Sequence, residues 1–492
     1  MILGNVRPLL LRRLVDSLPT SARFALCGGG RYLEAIWPEL RSALAGRKIV
    51  AVLDDGLARQ RRPLVVGLPV RPIEWAGATT VDAILITSEH HEAAFFQRLG
   101  PLREDGIAVL RAAHAEQNEA VTPEMVESLL GDPQLDLFAR ATPWSEPLPP
   151  RPLWAGLEIT TGCNLNCVMC ETHSSQRPTG QMTLELFGRA LDELEAQGIR
   201  HLTLHTIGEP TIHKQFRDVL RISHERGFGV WLSTNGQLLD RFFDALVKWP
   251  VMIIRWSIDG ASRETYERIR VGGKFDHLLE NMRRMRELID TKRLPTRMEM
   301  NVTLSADNLH ETAGFFDVFG PLLDDDQIHF SIVNSLSAGD GSYYEATRLL
   351  ENPRQVPCVP LWQSLYVGFD GQVSACCRDY HGELIVGDLA ESSLVDIRNG
   401  PALSALRDRH AANDVAALPR ACQNCYCAEN GQTELLAALI AAVQRLRPRP
   451  AAAEFTQRIR NFLKRLRQFT PALAGPAPSK PPGRPLPVLI SP

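Results

Sequence analysis

Twice along the chain, short apolar runs of strand length alternate with amphipathic stretches of helical spacing. Between residues 22 and 112 the runs are ARFALC, KIVAVLDD, VDAILITS and GIAVL, with GGGRYLEAIWPEL and HHEAAFFQRL as helices between them. This predicts a small doubly wound α/β unit. MILGNVRPLLLRRLVDSL ahead of it reads as a first helix, its apolar run broken by Arg12 and Arg13. From residue 155 to about 335 the alternation returns. LEIT, HLTLHT, FGVWLST, MIIRWSI, RMEMNVTL and QIHFSIV are strands, and LELFGRALDELEAQ, KQFRDVLRISHERG and FDHLLENMRRMRELID are helices. Six βα units in succession predict a parallel sheet with right-handed crossovers, closing as a barrel or partial barrel. Function in such a barrel sits at the carboxyl ends of the strands.

Punctuation divides the chain further. Residues 141–154, ATPWSEPLPPRPLW, hold five prolines and no period, and read as a linker. The expected order is an α/β unit over 1–140, that linker, a barrel over 155–340 and a cysteine-rich section over 350–432. A helical basic region over 433–470 follows, then a proline-rich tail over 471–492 expected to be disordered. Within the cysteine-rich section WQSLYVGFDGQVSACC reads as a hairpin turning at Asp370–Gly371.

Charge and composition narrow the class. The 492 residues carry a formal charge of -3, which gives no reason to expect nucleic acid as a partner. No run reaches the roughly 18 apolar residues of a membrane span, so a reducing cytoplasm is the expected compartment. Ten cysteines there need a reason other than disulfides, and nine of them lie in two regions. That clustering points to metal.

The first cluster is TTGCNLNCVMCE, with Cys163, Cys167 and Cys170 spaced CxxxCxxC in the loop after the first barrel strand. Thiolates are the ligands of iron–sulfur clusters, and three of them leave one iron of a four-iron cluster open. A zinc knuckle with His173 as fourth ligand is the competing pattern, and the position after the first strand of a βα array speaks against it. Further motifs stand at successive strand ends: HTIGEP, STNG and SIDG. With the triplet, they resemble the radical S-adenosylmethionine (SAM) superfamily across residues 155–335. The resemblance implies that a 4Fe–4S cluster on the triplet binds SAM and cleaves it to a 5′-deoxyadenosyl radical, which takes hydrogen from a substrate. It implies adenine contact by Met169 and a hold on the methionine amino group by Gly208, Glu209 and Pro210, with Ile207 in place of the usual first glycine. It implies ribose contact by Ser233 and Asn235, and a role near SAM for Ser257 and Asp259. It also implies an electron donor of flavodoxin or ferredoxin type.

In the second cluster, Cys358 and Cys376 precede a long gap and then Cys422 and Cys425 of CQNC. Spacing alone admits zinc or a second iron–sulfur cluster. The order CVPLW, DGxVxxCC, GD and CxxC is similar to the SPASM and twitch extensions of radical SAM enzymes, which implies one auxiliary 4Fe–4S cluster on those four cysteines. Cys377 and Cys427 are then spare, with packing as their expected role; Cys377 could exchange with Cys376 as ligand, and a spare cysteine could donate hydrogen in an epimerase. The expected fold is therefore α/β: a partial (β/α)6 TIM-like barrel, preceded by a small Rossmann-like domain and followed by a cysteine-rich SPASM/twitch-type extension.

Remaining candidates are less specific. Gly28, Gly29 and Gly30 sit at a strand-to-helix turn, and Asp54 and Asp55 end the next strand, where a nucleotide ribose could lie. Leu33 replaces the third glycine of the fingerprint, so a structural turn is the favoured reading. Arg255, Asn301 and His205 are candidate substrate contacts or satisfied interior groups. From 441 to 492 there are ten Lys or Arg against one acid, Glu454. Phe455, Ile459, Phe462, Leu466 and Phe469 make one apolar face beside Arg458, Arg460, Lys464, Arg465 and Arg467. That helix suits either packing on the protein, the favoured reading, or an anionic membrane surface or acidic partner. The expected function is oxidation of a small molecule, such as a sugar, aminocyclitol or nucleotide-sugar, with the auxiliary cluster as electron acceptor. A maturase of ribosomally made peptides and a radical epimerase are the alternatives.

Overall fold

The structure is a computed structural model that describes residues 6–77, 80–88, 91–132, 154–333, 342–349, 358, 360–412, 415–423, 425 and 431–469. Two sheets organise it. The first has strands β1 Arg23–Cys27, β2 Lys48–Leu53, β3 Leu64–Val65, β4 Leu68–Arg71, β5 Ala83–Ile86 and β6 Ala108–Arg111, in the order β3-β4-β2-β1-β5-β6. All pairs are parallel except β3–β4. The central strands β1 and β5 are buried on both faces, as a near-continuous apolar run requires.

The second sheet contains β7 Trp154–Leu157, β8 His201–Thr203, β9 Gly229–Thr234, β10 Ile253–Ser257, β11 Arg297–Leu304 and β12 Ile328–Ile332, all parallel. These are the six expected strands, and they make the partial TIM-like barrel. β7 begins at Trp154 and ends before most of LEIT, so the linker's last residue belongs to the sheet. Residues 133–153, most of that linker, lie outside the described residues, as does the tail from 470.

Three further strands, β13 Ser364–Val367, β14 Gln372–Ser374 and β15 Ile385–Asp388, continue the same sheet. β13 pairs in parallel with β7, and β13–β14 is the predicted hairpin, with Gly371 at φ +91° in its turn. The cysteine-rich section is thus welded to the barrel's open edge.

Barrel strands alternate apolar outside and polar inside. On β10, Ile254 and Trp256 are fully buried, and Trp256 lies close to Leu278 of the helix Phe275–Lys292 beside Gly236. Arg255 and Ser257 point the other way. Arg255 pairs with Glu299 at 2.8 Å and lies over the Trp231 ring. The N-terminal unit meets the barrel where Arg111 and Arg297 share Asp326, at 3.0 and 3.3 Å.

The basic C-terminal helix is Ala452–Phe469. Phe455, Ile459, Phe462 and Leu466 are fully buried against the protein, and the helix packs on Thr312–Phe319 and Gly431–Gln444. Arg458 and Arg465 bind Glu124 and Glu127. Packing on the protein is the reading the structure takes, and the apolar face is not free to enter a membrane. Among the described residues, no helix is long and apolar enough to cross one.

Candidate active site

The carboxyl ends of the barrel strands open into one cavity of about 250 Å³. Cys163, Cys167, Met169 and Cys170 line it from the loop after β7, and His205, Gly208 and Glu209 from the loop after β8. Ser233 and Asn235 reach it from β9, Ser257 from β10, Asn301 from β11 and Ser331 from β12. Arg378 and Tyr380, just beyond β14, complete the wall. Of the SAM-side and candidate contact residues expected from the sequence, Pro210, Asp259 and Arg255 do not line it.

Several of these residues are consumed in holding the loops. Gly208 adopts φ +82°, and a Cβ there would sit 2.4 Å from the Thr160 carbonyl oxygen, so only glycine fits. Glu209 is buried and accepts from the Thr211 and Asn235 backbone N–H groups and the Thr211 and Thr234 hydroxyls, at 2.6–3.2 Å. Burial pushes its carboxyl above the usual range against those bonds. The Glu209 side chain therefore ties the β8 loop to the β9 loop.

Asp259 is likewise internal. One oxygen accepts from the Thr303 N–H at 2.7 Å and the other lies 2.6 Å from Arg270. The Arg270 guanidinium in turn donates toward Cys167 Sγ at 3.7 Å. Arg270 also lines the cavity and was invisible in the sequence, because it ends a helix outside every motif. Asn235 donates to Asn164 Oδ1 at 2.8 Å and lies 3.9 Å from Cys163 Sγ.

The triplet fits an iron–sulfur cluster by its donor chemistry. Burial pushes the Cys163 thiol up to about 12, and the neighbouring Glu209, Cys167 and Cys170 add to this. Burial raises Cys167 too, with Arg270 opposing. Such thiols ionise only for a metal or a cation. The Leu165 N–H, Arg270 and Asn235 all turn toward the sulfurs, the hydrogen bonding that tunes a cluster. Among the described residues, no three His, Cys, Asp or Glu side chains converge on a single metal ion. Ligands to different irons of one cluster need not converge in that way. His173, the alternative zinc ligand, binds the Leu165 carbonyl at 2.9 Å instead.

His205 stands on the cavity wall, exposed to the space. Desolvation there lowers its pKa to about 4, and Arg378, Arg255 and Arg270 push the same way, so the ring stays neutral near pH 7.

In the second cysteine region Asp379 organises the loop, accepting from Ser374 Oγ, Glu383 N and Leu384 N at 2.8–3.0 Å. Cys376 lies close enough to Cys425 to feel its charge, and the Cys425 N–H donates to the Cys422 carbonyl at 3.3 Å. The Cys358 N–H donates to His410 Nδ1 at 3.2 Å. Four thiols in one section suit a closed cluster. Cys377 shares a hydrogen bond with Cys376, which raises Cys376 and lowers Cys377. It lines a separate small pocket with Tyr366, not the SAM-side cavity, so the hydrogen-donor role gains no support from it. Cys427 lies outside the described residues.

The N-terminal glycine turn is closed. Asp54 caps the helix Asp55–Arg59 through the Leu57 N–H and holds the Gly29 N–H at 2.9 Å. Asp55 accepts from the Ile73 N–H at 2.9 Å and pairs with Arg98. Neither carboxylate is left for a ribose, and the structural reading of that turn is the one the geometry supports.

Comparisons with known proteins agree with the cavity. Residues 157–298 match the radical SAM superfamily model, and residues 358–426 match SPASM, an iron–sulfur cluster-binding domain. A tungsten-containing aldehyde ferredoxin oxidoreductase cofactor-modifying protein of Pyrococcus furiosus is 38% identical over 105 residues, 21% of this chain and 30% of that one. Mycofactocin maturase MftC of Mycobacterium tuberculosis is 30% identical over 126 residues, 25% of this chain and 32% of that one. The chain thus spans about a third of the length of these curated relatives. The solved structure of Streptococcus suis SuiB bound to precursor peptide SuiA aligns with TM-score 0.41 and 13% identity over 57% of this chain and 73% of that one. With its triplet cavity and cysteine-rich extension, the chain carries a radical SAM superfamily domain over residues 157–298 and a SPASM domain over residues 358–426, which imply SAM, a SAM-binding 4Fe–4S cluster and auxiliary iron–sulfur as cofactors.

Proposed function

We propose that this enzyme oxidises a small hydroxyl-bearing molecule, such as a sugar, aminocyclitol or nucleotide-sugar, and passes an electron to an auxiliary cluster on Cys358, Cys376, Cys422 and Cys425. The observation that carries this reading is the cavity lining. Ser257, Asn301 and Ser331 present hydroxyl and amide groups from three adjacent strands, with neutral His205 in the same space. Small-molecule sites fix orientation with a few convergent polar groups of this kind. When bound, the cluster and SAM supply hydrogen-atom abstraction at carbon. Turning a carbinol into a ketone then requires one more electron and a proton to leave. In this reading the Asn301 amide, which donates to Ser331 Oγ at 3.3 Å, also orients the carbinol oxygen. Met169 on the cavity wall takes the adenine, and Ser233 the ribose, in this reading.

The test is anaerobic reconstitution with iron counting, followed by product analysis. About eight irons per chain support two four-iron clusters, whereas about four would sink the auxiliary acceptor. Deuterium passing from a labelled polyol into 5′-deoxyadenosine, with a ketone formed, supports oxidation. The 30% identity to a maturase favours peptide modification as a second reading. A precursor peptide modified in place of any polyol would establish it.

A further inference from the structure

Arg378 follows the Cys376–Cys377 pair, and its backbone N–H lies 3.4 Å from Cys376 Sγ. Its side chain lines the SAM-side cavity. The side chain is half-buried, and no carboxylate of the described residues forms an ion pair with it. The other guanidinium on this wall, Arg270, is already neutralised by Asp259 at 2.6 Å. A half-buried cation facing a cavity without an anion is a ready partner for one. The sulfurs of Cys376, Cys377 and Cys425 are near enough to act on Arg378 electrostatically. His205 lines the same cavity, and Arg378 exerts the strongest of the neighbouring charges on its ring. Among the described residues none hydrogen-bonds that imidazole, and it faces the same space.

We propose that Arg378 and His205 form a subsite for an anionic oxygen group of the substrate, a carboxylate or a phosphate. The planar guanidinium fork matches either group through paired hydrogen bonds, and the imidazole donates a further one. This rests on the reading that the cavity holds substrate beside the cysteine triplet. It narrows the substrate to an acidic or phosphate-bearing molecule and leaves unmodified sugars outside.

The test titrates inorganic phosphate and acetate calorimetrically into the anaerobically reconstituted, SAM-loaded full chain. The tighter of the two names the group. Arg378→Gln should weaken that anion about tenfold or more, Arg378→Lys by less, and His205→Gln by about two- to fivefold. No binding of either anion to the wild type, or equal binding by Arg378→Gln, would overturn the subsite. So would a loss in Arg378→Gln of SAM affinity alone, which would give the guanidinium to the SAM carboxylate. A shifted auxiliary-cluster potential with an unchanged anion titration would also overturn it, making Arg378 a counter-charge to the cluster. Anion binding by a wild-type protein that cannot cleave SAM under dithionite would support the subsite and sink the proposed reaction instead.

Discussion

The N-terminal unit and the barrel share one grammar of strand, tight turn and helix, and they put it to opposite uses. At the end of β1, Gly28 and Gly29 let the backbone pack closely: a Cβ on Gly28 would meet Ser88 at 2.9 Å, and one on Gly29 would meet Val52 and Leu57 at 2.8 Å. Asp54 and Asp55 are both engaged nearby. After β8, Gly208 is as tightly constrained and Glu209 as fully engaged, but His205, Ser257, Asn301 and three thiols are left facing a cavity. A glycine at a strand end therefore reports backbone crowding. A site is marked by polar groups that remain after the loops have been tied.

The strongest way to break this contrast is through cysteine. Cys167→Ser should abolish SAM cleavage and lower iron from about eight to about four per chain. Cys27→Ser, in the core of the N-terminal unit where burial pushes the thiol up to about 12, should change neither. Next comes glycine. Gly208→Ala should cost about 2–4 kcal/mol in urea unfolding, because strain and a backbone clash add. Gly30→Ala, with nothing within 4 Å of its added carbon, should stay within about 0.5 kcal/mol.

The joint between the regions gives the third effect. Burial pushes the Asp326 carboxyl up, but Arg297 and Arg111 outweigh it and hold it below its ordinary 3.8. A depressed carboxyl stabilises the fold above its unfolded value and loses that contribution as pH falls through the folded one. Asp326→Asn should therefore cost about 1–3 kcal/mol at neutral pH, a gap that narrows as pH falls below 3.8. The smallest effect is Asp54→Ala, which removes a helix cap and should cost about 1 kcal/mol. NAD should leave Tm unchanged in both forms. A nucleotide-dependent rise in Tm that Asp54→Ala removes would reverse the comparison.

The sequence made the barrel legible because its strands end in polar motifs that interrupt apolar runs, as at HTIGEP, STNG and SIDG. The apolar face of the C-terminal helix was legible from spacing alone, and its burial against the helix Thr312–Phe319 depended on tertiary packing. β3 and β4 escaped notice because they are two and four residues long and β4 contains Pro69. Arg270 and Arg378 escaped because a lone arginine carries no period and no motif; only the cavity brings them together. The Glu209 carboxylate matched a SAM-binding segment by position, yet the donors around it turn it inward.

The parallel pairing of β13 with β7 reaches beyond the fold. An open barrel exposes an edge strand that invites aggregation, and this ladder covers it. It also joins the SPASM section to the strand whose loop carries Cys163, Cys167 and Cys170. Backbone hydrogen bonds, not a tether, then set the gap between the two cysteine regions. If the proposed oxidation holds, the route by which the electron leaves is built into the sheet itself, with its distance fixed before any substrate arrives.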